Sequence, residues 1–223
     1  MSNSKDKKKL NEEQSLTKWV KVIEENRKKV LAHVKMITAE THMDMEVDED
    51  KMKQIITTNP VVEDLMKIAK EDFGMWTEAL VSSKAHLARL FSHYSRPLDH
   101  SVLSVSYGVD HDLSHEVLQI LGVIQEFEAQ SVKVMDGWIN NHLHREQLKG
   151  ELLAISAVHP ELLVNSDLYA AFLLLDQKMV SEIKSDLSDL LNNHSVLIDI
   201  LVAATAHMHD DGDSDTAVNN MYM

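Results

Sequence analysis

From Ser15 onward, Trp19, Ile23, Val30 and Ile37 recur at steps of three and four, with Asn26 and His33 as polar members of the same series. That spacing keeps one face of an α-helix apolar and predicts a first amphipathic helix. The series fades at Met43 into MDMEVDED, an acidic run that reads as a linker or exposed turn. Asn59 then precedes Pro60, with Glu63 and Asp64 following. An N-cap, a proline at the first helical position and early acids together mark a helix start.

A second series runs Val62, Leu65, Ala69, Asp72, Trp76, Leu80, Ser83, Leu87, Leu90 and Tyr94. Pro97 ends or kinks that helix, because proline lacks an amide donor and restricts the residue before it. The stretch DHSVLSVSYGVD reads as a connection. The third series is the most regular: Leu113, Val117, Ile120, Ile124, Phe127, Ser131, Val134, Trp138, Asn141, Arg145 and Leu148, with Asp110 or Asp112 as its cap. Gly122 and Gly137 interrupt it, each weakening a helix by roughly 1 kcal/mol against alanine, and offer places for a neighbouring helix to come close. Pro160 marks the next break. The fourth series runs Leu168, Phe172, Leu175, Met179, then shifts by one residue to Ile183, Leu187, Leu190, His194, Leu197, Leu201, Ala204 and Met208. Such a shift is a stutter.

The last two helices are expected to exceed 40 residues, or about 60 Å at 1.5 Å per residue. Narrow apolar stripes of that length need partners all along them. The expected fold is all-α, an elongated antiparallel bundle or coiled coil of long helices. Apolar remainders at the ends favour a homodimer. Residues 1–14 form a basic flexible N-terminus, 15–209 the helical bundle and 210–223 an acidic flexible tail.

Composition narrows the function. Six glycines and three prolines are too few for the turns of sandwiches, barrels or Rossmann folds, and the absence of cysteine excludes disulfides and thiolate chemistry. The formal charge is −14. Residues 1–35 carry +5 and the remainder −19. Such an acidic body repels nucleic acid over most of its surface, so no nucleic-acid partner is expected. The longest membrane candidate, Val196–Ala206, is about eleven residues against roughly 20 for a spanning helix. The N-terminus lacks the apolar core of a secretory signal. A cytoplasmic protein, peripheral to membranes at most, is expected.

Candidate chemistry is sparse. His111 and His115 share a helix face beside Glu116, a spacing that suits zinc or iron if further ligands converge. No duplicated Glu-x-x-His set accompanies them. His142 and His144 point in different directions on a helix, as do His207 and His209. The aspartates of DDGDSD lack the calcium-loop spacing and its closing Glu. No nucleophile elbow, P-loop or dinucleotide fingerprint occurs. Neither metal, cofactor nor catalytic residue is assigned, and an enzyme is not expected. Trp19, Trp76 and Trp138 fall on the apolar series and read as core.

Three short stretches carry a resemblance. Phe73-Gly74 with Ala79-Leu80, Pro97-Leu98 after Tyr94, and the closing run from Ile198 through Leu201, Val202 and Ala204 to His209 resemble motifs of the BAR-domain family, nearest its endophilin-like branch. The pattern covers about residues 15–209. The resemblance implies a crescent-shaped antiparallel dimer of three-helix coiled coils that senses or generates membrane curvature through a cationic face. The chain departs from that family in a longer 98–113 segment and in third and fourth helices poor in Lys and Arg. Lys5, Lys7, Lys8, Lys9, Lys28 and Lys29 are the residues expected to meet anionic lipid. The expected function is a non-enzymatic dimeric scaffold at curved intracellular membranes in trafficking. The alternative is a helical adaptor for another protein, which requires an exposed apolar patch.

Overall fold

Each apolar series folds as a helix because burial of its face outweighs the entropy of ordering the chain; a buried Leu, Ile, Val or Phe side chain contributes about 1.5–3 kcal/mol. In the computed structural model, the described residues are 3–40, 55–56, 59–94, 109–159 and 166–218. Side chains are described over 14–37, 55–56, 59–89, 118–159 and 166–204. Among them run four long helices and no strand: α1 Asn3–Glu40, α2 Pro60–Tyr94, α3 Val109–Val158 and α4 Asp167–Val218. The described residues are thus all-α, and none of these helices is long and apolar enough to cross a membrane.

The punctuation follows local chemistry. α2 begins at Pro60, and the Asn59 carbonyl accepts the Glu63 amide at 3.1 Å. It ends at Tyr94, three residues before Pro97. α3 ends at Val158, two residues before Pro160. Ser166 caps α4, its Oγ accepting the Tyr169 amide at 3.0 Å. The MDMEVDED run and most of DHSVLSVSYGVD lie outside the described residues.

Several expectations need adjusting. α3 starts at Val109, so Asp110 and Asp112 sit inside its first turn rather than at its cap. An acid there still favours the positive end of the helix dipole. The backbone of α1 is helical from Asn3 and that of α4 to Val218. Gly122 and Gly137 mark no close approach: a Cβ at either would meet nothing within 4 Å.

The chain divides into two compact units, each drawing on all four helices. The first comprises Met1–Lys28, Trp76–Glu128 and Asn192–Met223. Its core holds Leu16, Ile23, Trp76, Leu80, Ile124, Leu197 and Leu201. Here Ser83, a polar member of the α2 stripe, accepts the Trp19 indole N–H at 3.1 Å. The indole also stacks on His86, with centroids 5.9 Å apart. Trp76 lies between Phe127 and His194, at 5.6 and 4.5 Å.

The second unit comprises Lys29–Met75 and Ala129–Leu191. Its core holds Val30, Ile37, Leu65, Phe73, Trp138, Leu152, Phe172, Met179 and Ile183. One polar member from each of the first two stripes meets the other here. His33 Nδ1 sits 3.0 and 2.9 Å from the two carboxylate oxygens of Asp72. Asp72 is fully buried, and burial holds its carboxyl above the ordinary 3.8, opposed by the His33 hydrogen bond and charge, reinforced by Glu71 and opposed by Lys29. The α4 stutter explains a further burial. Where the stripe shifts, Leu175 and Asp176, then Met179 and Val180, face the core as adjacent pairs, which brings a carboxylate inside.

Candidate functional site

In the second unit, three successive inward residues of α3 are pinned to α4. The Trp138 indole N–H donates to Asp186 Oδ2 at 2.7 Å. Asn141 Nδ2 donates to Glu182 Oε2, and Lys178 Nζ donates to Asn141 Oδ1 at 3.5 Å. Arg145 Nε donates to Asp176 Oδ1 at 2.6 Å and its Nη2 to Oδ2 at 3.4 Å. As the α3 numbers rise, the α4 numbers fall, so the two helices run antiparallel through this ladder.

The last rung is dry. Arg145 and Asp176 are both buried, and Asn59 Nδ2 adds a bond to Asp176 Oδ2 at 2.7 Å. The guanidinium also lies 4.8 Å from the Phe172 ring centroid, a cation–π distance. Burial raises the carboxyl of Asp186, and Glu182 and Asp189 push the same way, against the Trp138 hydrogen bond. The Tyr169 hydroxyl is buried, and burial together with the Asp176 charge raises it. Phe73 meets the Trp138 ring edge-on at 4.8 Å. Burying charges costs several kcal/mol unless they are matched, and here each acid in the ladder faces a donor.

The ladder fixes the rotation of α3 and therefore what its other side presents. At about 100° per residue, Ile139 and Leu143 point away from the face that Trp138, Asn141 and Arg145 give to α4. Val132, Ile139 and Leu153 lie at multiples of seven residues, and Leu143 fills the interleaved set with Ala129, Gly150 and Ala157. These four large side chains are 54%, 56%, 43% and 61% exposed for Val132, Ile139, Leu153 and Leu143. α3 in this unit is apolar on two sides: one buried, one facing solvent. Heptad spacing of apolar residues is the spacing of a helix–helix seam. The exposed row runs about 32 Å along the helix axis from Val132 to Leu153.

The residues singled out from sequence fall elsewhere. Lys28 and Lys29 are exposed on α1. The side chains of Lys5, Lys7, Lys8 and Lys9 lie outside the described residues, as do those of His111, His115, His207, His209 and the DDGDSD aspartates. His142 and His144 are both exposed on α3. Among the described residues no group of three or more His, Asp or Glu is placed to hold a metal ion. Trp76 and Trp138 sit in the core, and Trp19 is half-buried. Sequence reasoning missed Asp176, Asp186 and the outer face of α3. Arg145 was the available signal, since a base on an apolar stripe demands an acid opposite. Comparison with protein-family models, curated proteins and solved structures finds no match to this chain.

Proposed function

We propose that this chain is a non-enzymatic helical scaffold whose working surface is the outer face of α3, where it docks a helix of another protein. The observation that carries this reading is the heptad-spaced apolar row of Val132, Ile139, Leu143 and Leu153, exposed on a helix whose opposite side is already buried. A scaffold needs its surface held in one orientation, and the Trp138, Asn141 and Arg145 rungs supply that hold. Asp176, Glu182 and Asp186 are each matched to a donor on α3.

The test is selection of helical peptides from a displayed library on the wild-type chain, counter-selected on Ile139→Asp/Leu143→Asp. Enrichment of peptides with an apolar heptad seam, lost on the variant, supports the reading. Recovery of none overturns it.

A BAR-like dimer at a curved membrane is the alternative form of the scaffold. The exposed bases of α1, Arg27, Lys28 and Lys29, favour it. Against it, residues 129–191 carry five Lys/Arg and nine Asp/Glu, and each acid near an anionic surface offsets a base worth about 1 kcal/mol. Co-sedimentation with anionic vesicles at low salt separates the two forms. Binding abolished by Lys28→Glu/Lys29→Glu and untouched by Ile139→Asp/Leu143→Asp favours the membrane form.

A further inference from the structure

The charges set within the outer row of α3 specify what covers it. Between Ala129 and Ala157 the row has two charged members, Asp136 and Glu146, both exposed and both acidic. Glu146 has loose neighbours on its own helix, Arg145 Nη1 and Lys149 Nζ, each at 3.5 Å. Arg145 is itself buried and engaged by Asp176, Lys149 is half-buried, and contacts as long as 3.5 Å leave Glu146, 44% exposed, open to a better partner.

A second copy of the chain fits poorly. A two-fold axis that sets Ile139 against the copy's Leu143 has its midpoint at Asn141, and the same axis sets Asp136 against the copy's Glu146. A register one heptad to either side sets both acids against apolar residues and buries them unpaired. Parallel pairing in register faces each acid with itself. Facing like charges across an interface costs several kcal/mol, and burying an unpaired carboxylate costs more still.

We infer that the occupant is a basic amphipathic helix of another protein, with an apolar seam for Ile139 and Leu143 and two Lys or Arg side chains spaced to meet Asp136 and Glu146. These acids are ten residues apart, about 15 Å along the axis, so the partner's two bases stand about three helical turns apart. Gly150, where a Cβ would meet nothing within 4 Å, leaves the partner backbone room at one end. The inference rests on the docking reading above and adds the partner's charge to it.

The experiment uses two fluorescent helical peptides with one leucine-alanine heptad seam. One has lysine and the other glutamate at the seam-flanking positions. Binding to the full chain is read by anisotropy at physiological salt. The lysine peptide is expected to bind about tenfold tighter than the glutamate peptide. Asp136→Lys/Glu146→Lys is expected to reverse that preference, and Ile139→Asp/Leu143→Asp to abolish both.

Equal binding of the two peptides, lost on the Ile139/Leu143 variant, overturns the basic partner and leaves the docking reading standing. Binding of neither peptide overturns both. Lysine-peptide binding that survives Ile139→Asp/Leu143→Asp reports attraction to an acidic body and overturns both. A concentration-dependent dimer dispersed by that same variant, seen in sedimentation, puts a second copy on this face and overturns the inference. Circular dichroism of each variant confirms that its helices are intact.

Discussion

Arg145 Nε and Asp176 Oδ1 lie 2.6 Å apart inside the second unit, with 2% and 0% of their side chains exposed. The pair joins α3 to α4 and, through Asn59, to the start of α2. Its presence inside an apolar layer does not make it a large source of stability, since attraction and desolvation nearly cancel. Its value is positional: one rotation of α3 satisfies Arg145, and that rotation turns Ile139 and Leu143 outward.

Removing either partner alone strands the other. Arg145→Met and Asp176→Leu are each expected to cost about 3–5 kcal/mol, whereas Arg145→Met/Asp176→Leu is expected near the wild-type value. Urea denaturation of the three variants forms a double-mutant cycle. Single-mutant losses that simply add would show that the pair is not coupled.

The contrast between legible and hidden residues runs through this same pair. Arg145 was legible because it stands on the regular α3 stripe, and the stripe itself was readable from apolar spacing alone. Asp176 was hidden because it stands one place off the α4 stripe, beside Leu175. It turns inward only because the stutter at Met179 makes two adjacent columns face the core. The outer face was hidden for a different reason. A helix buried on one side gives one dominant stripe, and tracing that stripe assigns every other position to solvent, Ile139 and Leu143 included. The polar members Asp72, Ser83 and Asn141 were placed correctly, but their partners depend on which helices become neighbours, and spacing along one helix does not encode that.

Asp72 gives the fold a pH dependence of definite sign. Burial raises its folded-state carboxyl above the ordinary 3.8. The folded state therefore holds that proton more tightly than the unfolded chain. The associated stability is fully present below the unfolded value and is lost as pH rises through the raised folded value. Asp72→Asn removes this titration while keeping an oxygen for His33. Relative to wild type, the variant is expected to gain stability as pH rises from below 3.8 toward neutrality, measured by urea denaturation at matched pH. A difference that stays flat across that window would show that Asp72 does not titrate with folding.

Gly137 offers a gain. It lies exposed within α3 with no positive φ, and a Cβ there meets nothing within 4 Å. Gly137→Ala then reduces backbone freedom in the unfolded chain at no steric cost. A stabilisation of about 0.5–1 kcal/mol is expected, read as a higher midpoint in urea at unchanged slope. It sits away from the outer row, so peptide binding should not change.

Trp138 tests the ladder apart from the charges. Trp138→Phe keeps a ring against Phe73 and removes the indole N–H from Asp186. A loss of about 1–3 kcal/mol is expected, because the carboxylate loses a donor in a partly buried place. The same change should move the Asp186 carboxyl higher, since the hydrogen bond that opposes burial is gone. NMR titration of the aspartate side chains checks that direction.

The two sides of α3 should respond oppositely to truncation. Leu152 is fully buried, and Leu152→Ala removes packed methyl groups and leaves a cavity, at an expected cost of about 2–5 kcal/mol. Ile139 and Leu143 contribute no such packing, and changes at exposed sites usually stay within about 0.5 kcal/mol. Ile139→Ser and Leu143→Ser should therefore leave the urea midpoint nearly unmoved while weakening binding of a helical peptide. A large destabilisation from either serine variant would mean that this face is already covered within the chain, and the docking surface would be part of the core instead. Retained stability with unweakened binding would place the recognition surface on another helix. The pairing of small change in folding with large change in binding is what separates a surface kept apolar for a partner from one kept apolar for the fold.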